Sequence, residues 1–235
     1  MRQAEPLLHH HIDLIIFDCD GVLVDSEVLS KRVLLSLLVK LGVSLPDDYF
    51  YRHLLGYNFE HVTAKIFTDF AVILTSEFRQ NYRQALLNVF AKELKPTKQL
   101  KWLLSQLNVD TCVATSSSPQ RVRTALKYTG IEDYFRGSVF TSSEVKQGKP
   151  APDLFLHAAA KMAVAPKNCL VIEDAPAGIQ AAQAANMPVI RYAGASHMKT
   201  SAQMLDDVST ITDWKQLLDK IPSLSSTVKS RGKAW

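Results

Sequence analysis

Two kinds of hydrophobic pattern follow one another along the chain. Residues 12–17 (IDLIIF) form a short apolar run, typical of a buried strand. From about residue 26 to 95 the apolar positions recur at helical spacing instead, most clearly in the leucines and valines between 33 and 41. This stretch contains two glycines and shows no pattern typical of a strand. We therefore expect a first strand followed by a block of helices.

Capping signals divide the helical block into four helices. Gly42 is expected to end the first helix, and Pro46 to occupy the first position of the second. Asn58 is expected to cap the third, and Ser76 the fourth, which runs to about Leu94.

After Lys95-Pro96 the pattern changes to alternating strands and helices, which predicts a parallel sheet covered by helices on both faces. The fold class is thus α/β, a Rossmann-like parallel core with a helical cap inserted after the first strand. We assign residues 1–24 and 96–235 to the core and 25–95 to the cap. The predicted strands are 111–116, 137–141, 169–173, 188–192 and a weaker one near 209–212; the predicted helices are 97–107, 119–129, 152–163 and 176–186.

Composition limits the possible partners. The chain has 235 residues, 47% of them hydrophobic and 21% charged, as in ordinary globular proteins. Lys plus Arg number 27 and Asp plus Glu 23, so the net charge is +4, too small to indicate a nucleic-acid or membrane partner. Part of the surplus is a basic C-terminal tail (Lys229, Arg231, Lys233).

The cysteines and the N-terminus indicate a reducing location. Cys19, Cys112 and Cys169 are odd in number and form no CxxC pair, so we expect core residues and not disulfides. No signal peptide or membrane span is recognisable, which makes a cytoplasmic location the default expectation. The run His9–His11 is too short for an expression tag and is not expected to bind metal.

Two pairs of acids stand at predicted strand ends. Asp18 and Asp20 follow the first strand, and Glu173 and Asp174 end the strand 169–173. If the two strands are neighbours, the carboxylates repel one another by about 4 kcal/mol per pair at 4 Å and require a cation or protons. Oxygen ligands select Mg²⁺ over zinc. The alternative is structural, because Asp174 could cap the helix that begins at Pro176.

Hydroxyls and a lysine follow two further strands. Thr115, Ser116 and Ser117 lie between a strand end and a predicted helix that Ser118-Pro119 would open, a place that favours a bound phosphate. Lys149 lies in the loop after the next strand. Taken singly, each signal is compatible with a turn or a surface residue. Together they supply a nucleophile, oxyanion donors, fixed positive charge and metal ligands, which are the parts that phosphoryl transfer requires.

The segments FDCDGVLVDSE, VATSSSP, GKPAPD and VIEDAPAGIQAA resemble the four motifs of the haloacid dehalogenase superfamily of phosphohydrolases. The resemblance is to the subgroup with a helical cap after the first motif and extends from about residue 12 to 195. Within it, sugar-phosphate phosphatases such as the 6-phosphogluconate phosphatase type are more similar, and β-phosphoglucomutases more distant.

The resemblance implies a role for each matching residue. Asp18 would be the nucleophile that forms an aspartyl-phosphate, and Asp20 the general acid and then base. Lys149 would neutralise charge, and Thr115 with Ser116 would hold the phosphoryl oxygens; Ser117 is a further candidate for phosphate binding. Magnesium would be bound by Asp18, the Asp20 carbonyl and Asp174, with Glu173 as a direct ligand or as a residue that orients the ligands.

Substrate selection would fall to the cap. The resemblance makes Glu27, Lys31 and the loop Leu55–Asn58, including Gly56 and Asn58, candidates for substrate binding. Glu27 also suits the first turn of a helix, and Gly56 could simply end one. We expect a small phosphate ester, a sugar or sugar-acid phosphate, no nucleic acid or membrane partner, and a monomer.

Three other functions are possible on this scaffold. A β-phosphoglucomutase-type phosphomutase requires cations in the cap, and the matching positions here are Ser30 and Phe59, which argues for a hydrolase. A dehalogenase would lack Asp20. A non-catalytic sugar-phosphate-binding protein would not need to keep all the catalytic groups.

Overall fold

The computed structural model describes residues 11–199 and 208–225, and its centre is a six-stranded parallel sheet. The strand order β3-β2-β1-β4-β5-β6 places β1 in the middle, between β2 and β4. This confirms the predicted α/β class, including the weak last strand. The strands are β1 (Leu14–Phe17), β2 (Asp110–Thr115), β3 (Val139–Thr141), β4 (Cys169–Glu173), β5 (Val189–Tyr192) and β6 (Thr210–Ile211).

Helices cover both faces of the sheet. In β1, Leu14 and Ile16 pack into an apolar cluster with α7 and α8, whereas Ile15 and Phe17 join the cluster on the opposite face. The cluster that contains Ile15 and Phe17 continues into the inserted helices, so this face of the sheet and the insertion share one hydrophobic core. The helices of this part are α5 (Leu100–Gln106), α6 (Pro119–Thr129), α7 (Asp153–Lys161), α8 (Pro176–Ala184) and α9 (Trp214–Lys220), the last not predicted.

The insertion, here called the cap segment (residues 25–95), contains α1 (Glu27–Val39), α2 (Tyr49–His53), α3 (Phe59–Phe70) and α4 (Ser76–Glu93). Asn58 caps α3 as predicted, its side chain accepting from the His61 N–H. Two predicted starts were wrong: α2 begins at Tyr49, not Pro46, and Thr75 caps α4, leaving Ser76 as its first residue. In both cases the helix starts only where a side chain or turn can satisfy its first N–H groups.

The chain enters and leaves the cap segment through two adjacent crossings. Val24 forms an antiparallel bridge with Pro96, the Asp25 N–H donates to the Lys95 carbonyl at 3.0 Å, and the Thr97 N–H donates to the Leu23 carbonyl at 3.0 Å. These crossings, here called the hinge, lie directly after the end of β1.

Several sequence-based expectations concern residues outside the described ranges. His9, His10 and the basic tail (Lys229, Arg231, Lys233) lie there. All three cysteines are buried and free, as expected for core residues. Among the described residues, no helix is both long and apolar enough to cross a membrane.

Thr97 anchors the hinge to the core, and its replacement tests that role. Its buried hydroxyl donates to the Val22 carbonyl at 2.7 Å and accepts from the Trp214 Nε1–H at 3.2 Å. Thr97→Val leaves two buried groups unpaired and should lower the free energy of unfolding by about 1–3 kcal/mol in urea denaturation. Thr68→Val, at an exposed threonine in α3 that bonds only the Ala64 carbonyl, is the control and should change it far less. Equal losses would contradict the anchoring role.

Candidate active site

A buried lysine joins the ends of three strands. Lys149 Nζ donates to Asp18 Oδ1 at 2.6 Å, to Glu173 Oε1 at 2.7 Å and to the Ala114 carbonyl at 3.1 Å. Its side chain is only 1% exposed, so it is not the surface residue that an isolated lysine usually is. Because β1 lies between β2 and β4, the ends of these strands meet at one edge, where open α/β sheets bind ligands.

Three buried carboxylates form the only cluster of potential metal ligands found among the described residues. One oxygen each of Asp18, Glu173 and Asp174 lies within 4.8 Å of the others. The donor set consists of carboxylate oxygens alone, and the Lys149 ammonium bonds two of the three carboxylates. A hard divalent cation such as Mg²⁺ fits these donors. The Asp20 side chain is not part of the cluster.

The conformation of Glu173 explains the local sequence around α8. Its Oε2 accepts from the N–H groups of Asp174 and Ala175, both at 2.8 Å, so the carboxylate folds back over the first turn of the helix. A Cβ at Gly178 would lie 1.7 Å from Glu173 Oε1, so only glycine fits there. Ala175 occupies the N-cap of α8, and the alternative that Asp174 caps this helix is wrong. Asp174 is directed instead toward His197, with Nε2 to Oδ2 at 2.9 Å.

Asp20 is held apart from the carboxylate cluster by three donors. Ser26 Oγ and Ser117 Oγ donate to it at 2.5 Å each, and Arg121 donates at 2.7 Å. Burial on its own would raise the pKa of Asp20, but Arg121 and the two hydroxyls outweigh burial and lower it. Asp20 therefore carries its charge in this arrangement.

The hydroxyl loop lies as predicted between the end of β2 and α6. Ser118 is at the N-cap and Pro119 at the first helical position, although the Ser118 side chain makes no capping bond. Thr115 Oγ1 accepts from the Ser117 N–H at 3.1 Å, and the buried Ser116 Oγ has no hydrogen-bond partner among the described residues. The positive end of the α6 dipole is directed at this loop, which favours an anion there.

Burial dominates the electrostatics of the cluster. It raises the pKa of Asp18 to about 7, with the Lys149 cation opposing the shift. Burial also raises the pKa of Glu173 and of Asp174. In Lys149 burial lowers the pKa, but the carboxylates of Asp18 and Glu173 outweigh it, so the amine stays protonated. The carboxylates are therefore poised to exchange protons for a cation.

A cavity of about 390 Å³ separates the sheet edge from the cap segment. Glu27, Gly56 and Asn58 line it, as do Asp18, Asp20 and Thr115–Ser117. Packing alone also explains why residue 56 is a glycine, because a Cβ at Gly56 would lie 2.5 Å from the Ala175 Cβ. Lys31 lies elsewhere, donating to the Asp47 carbonyl on the exposed surface.

Sequence reasoning missed the arginines of the cavity. Arg121 in α6 pairs with Asp20 and also donates to Ser30 Oγ at 2.9 Å. A cation in the first turn of a helix opposes the dipole, and that conflict was the available signal. Arg79 and Arg83 reach the cavity from α4, whose pattern gave no such signal.

The sequence model of the haloacid dehalogenase-like hydrolase family matches residues 12–186 of the chain. The chain belongs to this family. The resemblance in its four motifs is thereby confirmed.

Several proteins similar to this chain are described as phosphatases. The 6-phosphogluconate phosphatase of Escherichia coli (strain K12) is 28% identical over 207 residues, which cover 88% of this chain and 93% of that protein. A probable pseudouridine-5'-phosphatase of Drosophila melanogaster is 32% identical over 184 residues, covering 74% and 79%. These relatives confirm the expected class, a phosphoric monoester hydrolase. Their names differ in substrate, so membership does not specify one.

Solved structures show the same fold. A conserved haloacid dehalogenase-like protein, ATU0790 of Agrobacterium tumefaciens str. C58, superimposes with a TM-score of 0.74. It is 29% identical, and the match covers 90% of this chain and 98% of that one.

The raised pKa values predict a pH-dependent response to magnesium. With metal chelated, the folded state keeps protons that the unfolded chain releases above about pH 4, so stability should fall as pH rises toward 7. Mg²⁺ requires the ionised carboxylates, so its stabilisation should be larger at pH 8 than at pH 5.5, reaching about 2.7 kcal/mol at 100 times its dissociation constant. Thermal unfolding with EDTA or Mg²⁺ at matched ionic strength measures this. A magnesium shift that is no larger at pH 8 would contradict it.

Proposed function

We propose that this hydrolase is a Mg²⁺-dependent phosphatase of a small phosphate monoester, a sugar or sugar-acid phosphate, acting through an aspartyl-phosphate. The observation that supports it best is the bonding of Asp18. Its carboxylate contacts Lys149 inside the carboxylate cluster, at the edge where Thr115 and the start of α6 also lie. A nucleophile, a fixed cation and anion-binding N–H groups thus converge on one small space.

Asp18 is the nucleophile. One of its oxygens forms a bond to phosphorus while the bond from phosphorus to the alcohol oxygen of the substrate breaks. The covalent intermediate divides a difficult hydrolysis into two easier steps. Water then attacks the phosphoryl group, inorganic phosphate leaves and the Asp18 carboxylate is regenerated.

Asp20 is the general acid and then the general base. It protonates the departing alkoxide in the first step and takes a proton from the attacking water in the second, which contributes about 10²–10⁴ in rate. In the described arrangement it is ionised and held by Arg121, Ser26 and Ser117. It must therefore take up a proton and turn toward the substrate oxygen before it acts.

Phosphate is held by groups at the end of β2 and in the loop after β3. Thr115 Oγ1 and the Ser116 N–H would bind the phosphoryl oxygens, and both residues line the cavity together with Ser117. Lys149 offsets the charge of Asp18 as the dianion approaches. Asp18, Asp174 and the Asp20 carbonyl would hold Mg²⁺, and Glu173 orients the set through Lys149 and two backbone N–H groups. The bound cation supplies charge stabilisation to the phosphoryl oxygens.

The cavity favours a small polar substrate with an anionic far end. Its volume of about 390 Å³ suits a metabolite. On the cap side it is lined by Asn58 and by two arginines of α4. Arg79 is paired with Glu60 at 2.7 Å, whereas no carboxylate of the described residues pairs with Arg83. An unpaired guanidinium facing the cavity matches the carboxylate of a sugar acid.

The alternatives are less well supported. Ser30 and Phe59, at the positions where a mutase of this fold has cations, bond Arg121 and stack on Tyr82 respectively. Asp20 is present, unlike in a dehalogenase. A non-catalytic sensor would not require the buried Lys149–Asp18 pair. We further propose that residues 25–95 act as a cap that excludes water, that nucleic acid is not a substrate, and that the protein is a cytoplasmic monomer.

Replacement of the nucleophile tests the function directly. Asp18→Asn keeps the shape of the side chain but removes the carboxylate oxygen that attacks phosphorus. Release of inorganic phosphate from a panel of phosphorylated metabolites should fall by about 10³-fold or more. Asp13→Asn, at the other end of the same strand, is the control and should retain activity. Turnover by Asp18→Asn would contradict the mechanism, and no turnover by the unmodified protein with any ester would favour the sensor.

Replacement of Arg83 tests the substrate class. Arg83→Gln removes a charged partner worth about 1.5 kcal/mol, so KM for sugar-acid phosphates should rise about tenfold. KM for neutral sugar phosphates should change less than about twofold, because they lack the far carboxylate. Arg32→Gln, on a side chain paired with Glu93 away from the cavity, is the control. Equal effects on both substrate groups would argue against an anionic far end.

A further inference from the structure

The short 3-10 helix Ser196–Lys199 contacts Asp174 of the carboxylate cluster and Asp25 of the hinge. His197 is fully buried, and its Nε2 lies 2.9 Å from Asp174 Oδ2. The preceding residue, Ser196, donates its N–H to Asp25 Oδ1 at 3.0 Å and its hydroxyl to Asp25 Oδ2. Two adjacent residues thus bond a candidate metal ligand on one side and the first residue of the cap segment on the other.

Packing restricts the movement of this contact. The His197 ring stacks on Tyr51 of α2, with ring centroids 6.3 Å apart and planes at 19°. On the core side the turn at Gly21 leaves no room, because a Cβ there would lie 2.1 Å from Asp174 Oδ2 and 2.9 Å from His197 Cε1. Asp174, His197 and Tyr51 thus form a continuous chain of contacts from the carboxylate cluster to α2 of the cap segment.

We propose that Ser196 and His197 couple magnesium binding at Asp174 to the position of the cap segment, through the contact with Asp25 at the hinge. His197 is a positioning residue: it holds one oxygen of Asp174 so that the other is presented to the cation. Ser196 transmits the same constraint to the hinge. The inference rests on the magnesium site of the proposed function. It adds that metal binding and the position of the cap depend on each other.

Linkage determines what this coupling does. If Mg²⁺ binding favours one conformation of the hinge, then that conformation must bind Mg²⁺ more tightly by the same factor. The cap would close more readily over a metal-loaded site than over an empty one. Substrate would accordingly be enclosed only where the cation needed for the reaction is already in place.

Two pairs of variants test the coupling in substrate-free protein. Asp25→Ala removes both bonds to Ser196 without touching the cluster, and Asp213→Ala is matched to it, removing a half-buried aspartate that accepts only from the Lys215 N–H. By calorimetric titration, Asp25→Ala should weaken Mg²⁺ binding about fivefold or more, and Asp213→Ala should not. His197→Phe should weaken it about tenfold, and His197→Gln, which retains an N–H near the position of Nε2, should restore most of it.

Hydrogen exchange separates coupling from a local loss of stability. In the unmodified protein Mg²⁺ should slow exchange of the hinge N–H groups of residues 25 and 97, and Asp25→Ala should abolish that difference while still binding Mg²⁺. If Asp25→Ala matches Asp213→Ala in affinity and exchange, the coupling is overturned and the phosphatase proposal stands. If the unmodified protein binds no Mg²⁺, both fail.

Discussion

The burial of three carboxylates around one lysine is the constraint on which the rest of the structure depends. Charges of like sign at this spacing repel strongly unless a cation or protons offset them. Asp18, Glu173 and Asp174 are brought together because β1 lies between β2 and β4, and Lys149 reaches the same point from the loop after β3. The central position of β1 thus determines where chemistry is possible.

The cap segment is tied to that same point. The chain leaves the sheet immediately after β1 and returns beside it, so the hinge and the carboxylates share neighbours. The apolar cluster on one face of the sheet continues into α1 and α4. The bonds that fix the two crossings of the hinge therefore lie beside the residues that hold Asp20 and Asp174.

The strand ends and their acids could be predicted because both follow from local pattern. Apolar runs ended by Asp18 or Glu173 identify strands, and neighbouring strands bring their ends together. Contacts that depend on long-range packing could not be predicted. Arg121 is placed against Asp20 by the angle of α6, and Asp174 contacts His197 although a capping role was equally consistent with its sequence position. The start of α2 was misplaced for a similar reason, since a proline marks an allowed helix start and not a required one.

The arginines of α4 are distant in sequence from the proposed catalytic groups and lie on a different structural element. Every group that we propose acts on phosphorus lies at the sheet edge, whereas Arg79 and Arg83 lie on one helix of the cap segment. Mutations along a single helical face could accordingly redirect this enzyme to another metabolite while its reaction chemistry is inherited unchanged. An architecture of this kind lends itself to gene duplication followed by divergence.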